Sequence, residues 1–331
     1  MAATMRAWQA TAHGEPRDVM RLADVEIPEP GPNQLLVRVR ATALNFPDVL
    51  LCRGQYQARP PLPFTPGVEL CGDVVSFGDG VQGFGEGDRI IGTTSLPHGG
   101  LAEYALVDAP DAFLAPTALD DVHAAAMHIA YQTGWFSLHR RANLQPGETL
   151  LVHAAAGGVG SAAIQLGKAA GAHVIAVTGG AAKAEVAAKL GADLVIDRRE
   201  QDFVAAVKAA TGGRGADVIF DPVGGDAYAG SAKCVAFEGR ILVVGFAGGT
   251  VPTPGLNHAL VKNYSIVGVH WGLYRQLDPA LVTEAHGRLC ELAAERVVQP
   301  LIGGVLDLGD AADGLTRLGA GETVGRLVVR P

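Results

Sequence analysis

Residues 150–178 read LLVHAAAGGVGSAAIQLGKAAGAHVIAVT, and this stretch decides the fold. LLV is a short apolar run of the kind a strand buried on both faces requires. Small residues follow, with glycines at 157, 158 and 160. SAAIQLGKAAG then has helical spacing and closes on Gly171, a residue type that ends helices in a left-handed turn. HVIAVT is a second apolar run. Strand, turn, helix and strand make a βαβ unit. In such a unit, small residues at the turn let the backbone approach a diphosphate, and the N–H groups of the helix start face its charge. The usual spacing is G-x-G-x-x-G. Here Ala155 takes the first place, and Gly157 and Gly160 hold the other two. The contacts expected for a dinucleotide are Ala156, Gly157, Gly158, Val159 and Gly160.

The alternation continues down the chain. AAKAEVAAKLGA is helical, DLVID extended, DFVAAVKAATGG helical and DVIFD extended, followed by AYAGSAKCVAFEG and RILVVG. Strands alternating with helices of this length imply right-handed crossovers and a mostly parallel sheet. The expected class is α/β, a doubly wound Rossmann sheet. After residue 265 come SIVGVHW, a helix from Pro279 to about Glu295, and a closing strand near TVGRLVV. Residues 1 to about 125 differ. QLLVRVRAT (34–42) and CGDVVSFG (71–78) are short and broken by EPGPN and GFGEGDR. That texture suits a β barrel or sandwich. A chain of 331 residues usually divides in two. The expected division is residues 126–265 for the dinucleotide domain, and 1–125 with 266–331 for the other.

The end of HVIAVT selects the cofactor. A site for NAD places Asp or Glu near there, to bind the ribose 2′-hydroxyl. Here the strand ends in Thr178, Gly179 and Gly180, with Lys183 beyond and Arg198 and Arg199 after the next strand. With no acid to repel a 2′-phosphate and cations to attract one, the expected cofactor is NADPH, with Thr178, Lys183 and Arg198 in contact.

Composition removes other classes. The net charge of −8 argues against nucleic acid as the main partner. No window of about 18 residues is apolar enough for a membrane span. The N-terminal MAATMRAWQATAHGEP lacks a secretory h-region, so the expected location is cytoplasmic. Cys52, Cys71, Cys234 and Cys290 stand singly, which encodes neither a zinc ribbon nor a disulfide framework. Cys52 has no neighbouring His or Lys to activate it and reads as inert. His123 and His128 lie five apart on an expected helix and do not share a face. No H-E-x-x-H and no G-x-S-x-G occurs. No metal site is expected, so the chemistry falls to the cofactor.

The motifs ALNFPDVLLCRGQY, PLPFTPGVELCGDVV, GDRIIG, LQPGETLLVHAAAGGVGSAAIQLGK and GRLVV together resemble the quinone oxidoreductase (zeta-crystallin-like) branch of the medium-chain dehydrogenase/reductase superfamily, over essentially the whole chain. The resemblance implies a GroES-like β-barrel catalytic domain beside the Rossmann domain. Zinc-dependent relatives carry Gly-His-Glu where this chain has Gly67, Val68 and Glu69, and a catalytic Cys where it has ALNFPD; their lobe of four close cysteines is also missing. The resemblance makes Asn45 and Tyr56 pocket residues with a part in catalysis, and sets both Asn45 and Thr133 beside the nicotinamide as cofactor contacts. It makes Lys183 the lysine on the 2′-phosphate, with Arg198 near the adenosine end. Gly245 and Phe246, Val269, His270 and Trp271, and Arg326 match cofactor-facing positions. Some relatives carry a tyrosine at the place of Leu50, so this pocket is more apolar.

The implied activity is hydride transfer from NADPH to a quinone or another α,β-unsaturated carbonyl compound. Asn45 and Tyr56 would hydrogen-bond the acceptor oxygen or an ordered water, in a cleft between the domains. An enoyl-thioester or 2-alkenoate reductase of the same fold is the alternative. A non-catalytic NADPH-binding crystallin-like protein is the alternative of another class. The implied assembly is a homodimer, with SIVGVHW pairing at a sheet edge.

Overall fold

The structure, a computed structural model, describes residues 3–331. Two compact units divide the chain, Met1–Ile129 with His286–Pro331, and Ala130–Ala285.

The first unit opens with a hairpin of β1 (Thr4–Ala10) and β2 (Met20–Glu26). A mixed sheet follows from β3 (Gln34–Ala43), β4 (Glu69–Phe77), β5 (Arg89–Thr93), β6 (Tyr104–Asp108) and β7 (Ala112–Leu114). Apolar residues at alternate positions of these strands bury one face. Leu35, Val37, Leu70, Val74 and Ile90 form one core cluster, and each such side chain stabilises by roughly 1.5–3 kcal/mol on leaving water. A second cluster, with Trp8, Phe64 and Leu51, packs against Leu308, Leu315 and Leu327 from the end of the chain. The Trp8 indole N–H donates to the Leu308 carbonyl at 2.6 Å, which satisfies the one polar atom that burial of the ring would strand.

The second unit is a six-stranded parallel sheet. Its strands are β8 (Thr149–Val152), β9 (His173–Thr178), β10 (Leu194–Asp197), β11 (Ala216–Asp221), β12 (Val235–Val243) and β13 (Ser265–Gly268). All run parallel in the order β10-β9-β8-β11-β12-β13. Taken from β8 as strand one, this is the doubly wound order 3-2-1-4-5-6, with its reversal between β8 and β11. The whole of TLLV in β8 is buried, as a central parallel strand demands. The helix Gly158–Ala169 buries Ile164 and Leu166, and Gly134 and Gly167 give room to Leu166 and Leu150.

The chain returns to the first unit at His286, where a return at residue 266 was expected. The apolar run SIVG, compatible with either sheet by pattern, completes the parallel one as β13 on β12. Val269, His270 and Trp271 therefore stay with the dinucleotide turn. The first crossing falls after Ile129 rather than after residue 125. The first unit closes with β14 (Ile302–Asp307) and β15 (Arg326–Arg330), the latter antiparallel to β3.

Candidate cofactor and active site

Every strand of the parallel sheet ends on the same edge, and the expected cofactor residues follow those ends. Past β8, Ala154 adopts φ 48 and its carbonyl accepts from Gly157 N–H at 2.8 Å. Gly157 then takes extended backbone as the N-cap of the helix starting at Gly158, and no side chain caps that start. The first N–H groups are thus left for a ligand. A Cβ on Gly160 would lie far inside van der Waals contact with the Ala154 carbonyl, so glycine is required for the helix to approach the turn. Ala155 and Ala156 are buried beneath. His153 is buried too, its Nε2 at 2.8 Å from Ser231 Oγ and its ring edge-on to Phe203. Burial pushes its pKa down to about 4, against the pull of the Asp221 carboxylate.

Past β9, Thr178 is buried and its hydroxyl has no hydrogen-bond partner. Asp197, at the end of β10, accepts from the Gly180 N–H at 2.8 Å and the Arg199 N–H at 3.0 Å and so fixes the turn. Those backbone bonds also lower its pKa. A Cβ on Gly179 would lie 3.3 Å from Arg198 Nε, and one on Gly180 3.1 Å from Arg199 Nη1. Both guanidinium groups therefore hang over the two glycines. Lys183 feels them: burial, then Arg199 and Arg198, lower its pKa. Three cations crowd one corner, an arrangement that an anion relieves. An orphan hydroxyl, a turn only glycine fits and this cation cluster are all compatible with a phosphorylated dinucleotide.

The remaining expected residues of this unit follow strand ends or sit on a buried helix. Gly245 and Phe246 follow β12, with Gly245 close to the Pro222 carbonyl. After β13, Val269 N–H donates to Val243, and Trp271 is buried with the Arg275 guanidinium 5.9 Å from its ring. Thr133 is buried on the helix His128–Trp135, its carbonyl accepting from Ser137 Oγ at 2.6 Å. His123 and His128 fall on two successive helices, not one. Among the described residues, no three of His, Cys, Asp and Glu cluster as metal ligands.

In the first unit, Asn45 and Arg326 meet. Asn45 ends β3's connection and caps the helix Phe46–Cys52. Its Oδ1 accepts from Arg326 Nη1 at 2.8 Å, and its Nδ2 donates to Glu69 Oε2 at 2.9 Å and to the Ala43 carbonyl at 3.0 Å. Arg326 also pairs with Glu69. Glu69 is fully buried, and its second oxygen accepts from Ile129 N–H at 2.6 Å. Burial raises the Glu69 pKa, while Arg326 and Asn45 oppose it. Asp48, also fully buried, accepts from the N–H groups of Asn45, Gly67 and Val68. Desolvation lifts its pKa to about 6. Tyr56 is half-buried against the cluster containing Trp8 and Leu51. Glu69 and Asp48 did not emerge from the sequence reading as site residues. The available signal was a carboxylate set directly against the apolar run LCGDVV, since a buried charge needs a partner.

These features define an oxidoreductase with a Rossmann sheet and a second, β-rich domain. Residues 158–284 match the family model described as zinc-binding dehydrogenase, and residues 31–117 that of the alcohol dehydrogenase GroES-like domain. Mouse quinone oxidoreductase-like protein 2 is 34% identical over 325 residues, covering 98% of this chain and 92% of the mouse protein. A probable oxidoreductase from Mycobacterium abscessus superposes with a TM-score of 0.90 at 36% identity, over 100% of both chains. Escherichia coli quinone oxidoreductase, solved in complex with NADPH, superposes with a TM-score of 0.90 at 31% identity, over 98% of this chain and 100% of its own. The chain belongs to the quinone oxidoreductase branch of the medium-chain dehydrogenase/reductase superfamily.

Proposed function

We propose that this oxidoreductase uses NADPH, works without a metal ion, and reduces a quinone or another α,β-unsaturated carbonyl compound. The observation that carries the cofactor choice is the trio Lys183, Arg198 and Arg199 beside the end of β9, a strand that closes on Thr178 and leads into Gly179 and Gly180, while Asp197, at the end of β10, is held by the Gly180 and Arg199 N–H groups. The E. coli relative bound to NADPH supports the same choice. The turn Ala156–Gly160 would hold the diphosphate with backbone N–H groups, and the cations the 2′-phosphate. Thr133, Thr178, Gly245, Phe246, Val269, His270 and Trp271 would line the rest. NADPH, when bound, supplies the hydride. The chain's own part is to bind, orient and exclude water. Asn45, with Tyr56 near it in sequence, would act toward the acceptor, and Arg326 would hold Asn45. Metal-free action is supported by Val68, which occupies the place of the histidine ligand of zinc-dependent relatives.

The decisive experiment follows NADPH absorbance in the presence of quinones, enones and enoyl thioesters, with and without chelator. Turnover with quinones or enones that survives chelation supports the proposal. Oxidation with enoyl thioesters alone, or loss of turnover on chelation, overturns it. Asn45→Ala should lower kcat about a hundredfold, the usual effect of deleting one polar contact to a reacting group, with little change in NADPH affinity.

We also infer a homodimer. β13 ends the parallel sheet with its outer edge open, and the neighbouring helix Leu256–Lys262 exposes Leu256, Leu260 and Val261. Open edges and apolar patches of this kind are covered in stable assemblies. Light scattering at the mass of one chain would rule the pairing out.

A further inference from the structure

We infer that Glu69 is a positioning residue: its carboxylate fixes the rotation of the Asn45 amide, so that neither Asn45 N–H is left for a ligand. The inference rests on the function proposed above only in assigning Asn45 to the reacting end.

A carboxylate only accepts hydrogen bonds, a guanidinium only donates, and an amide does both from opposite ends. Glu69 Oε2 stands 2.9 Å from Asn45 Nδ2, and the Ala43 carbonyl, another acceptor, stands 3.0 Å from it. On the far side, Arg326 Nη1 stands 2.8 Å from Asn45 Oδ1. All three neighbours demand the same orientation. Turning the amide over would set its oxygen against two acceptors and its NH2 against a donor, in a site where Asn45, Glu69 and Arg326 are all buried. An unmade hydrogen bond there strands a buried polar group, which is disfavoured the more beside a charge.

Glu69 is itself held. Ile129 N–H and the Arg326 guanidinium occupy it from two other directions, so it cannot swing away from Asn45 without stranding them. Both amide hydrogens of Asn45 are then consumed inside the protein. Its oxygen accepts from Arg326 Nη1 and, in the capping box of the helix Phe46–Cys52, faces the Asp48 N–H. A carbonyl oxygen on the acceptor therefore receives no N–H from Asn45 directly. This replaces the simpler expectation that Asn45 donates directly to the acceptor oxygen.

The test uses the intact protein with asparagine labelled by nitrogen-15. In the wild type, both Asn45 side-chain N–H signals should resist exchange with solvent and stay sharp. In Glu69→Gln, whose amide can donate as well as accept, they should broaden or exchange at least tenfold faster. The same variant should lose about ten- to a hundredfold in kcat, a typical effect of misplacing one group at the reacting centre. Its NADPH dissociation constant should stay within twofold, since the turn and the cations are untouched. Thermal melting reports the folded fraction, so kcat is counted per folded molecule. Unchanged Asn45 signals, or a kcat within twofold of wild type in folded Glu69→Gln, overturns the inference. Should that variant fail to fold, fast solvent exchange of the Asn45 amide in the wild type overturns it equally. A wild type that fails to oxidise NADPH with every quinone and enone offered would sink the proposed function, while the amide signals still decide the role of Glu69.

Discussion

Removing single charges at the end of β9 should change which nicotinamide the enzyme prefers. A phosphate monoester carries about −1.5 to −2 charges near pH 7, and a cation 4 Å away attracts each unit charge by about 4 kcal/mol at an effective dielectric constant of 20. Arg198 is exposed and Lys183 half-buried, so solvent and salt screen most of that. About 1.4 kcal/mol per cation remains as a working figure, or tenfold in affinity. Lys183→Ala and Arg198→Ala should each lower kcat/KM for NADPH about tenfold and leave that for NADH within twofold. Gly179→Asp reverses the corner instead. Its Cβ would sit 3.3 Å from Arg198 Nε, so the new carboxylate neutralises Arg198 and repels the 2′-phosphate at once. The NADPH to NADH ratio of kcat/KM should fall about a hundredfold. Initial rates with one quinone at two salt concentrations measure all of this. A ratio that stays within twofold of wild type in all three variants would refute the charge argument.

Two further outcomes follow from the same geometry. Gly160→Ala forces the helix start away from the Ala154 carbonyl; overpacking of this kind costs about 1–3 kcal/mol, so NADPH affinity in a titration should fall at least tenfold, and unaltered affinity would mean the turn does not hold the diphosphate. Burial holds the Asp48 carboxyl at about 6, whereas an unfolded aspartate titrates near 3.9. The unfolded chain therefore sheds this proton first, and the stability from Asp48 is lost as pH rises from about 4 through 6. Urea melts should show wild type losing stability relative to Asp48→Asn across that window, and parallel curves would contradict the assignment.

The parallel sheet was readable because its signal is local. Each strand from β8 to β12 is a short apolar run set off by glycine, and each intervening helix keeps its own spacing. The dinucleotide corner was readable for the same reason: Gly157 to Gly160, Thr178 and Lys183 stand within one βαβ stretch. The run SIVG carried no mark of which sheet it joins, since that depends on the hydrogen bonds of β12. The network around Glu69 was hidden more deeply. Arg326 reaches Asn45 across 281 residues and Glu69 across 257. Nothing in the local pattern of β4 or β15 says that these charges will be buried against each other. Asn45 and Arg326 were reached separately, by resemblance, and only the fold shows them as partners.

The order in which the chain leaves the ribosome matters here. The parallel-sheet unit is one unbroken segment, Ala130–Ala285, complete before residues 286–331 are made, whereas the first unit waits for β15 to bond to β3 and for Leu308, Leu315 and Leu327 to cover Trp8. Until those residues emerge, that unit presents a bare strand flank and an uncovered apolar face, the features that invite aggregation of nascent chains. A premature stop near residue 320 would spare the parallel sheet with its glycine turn while removing the strand that carries Arg326.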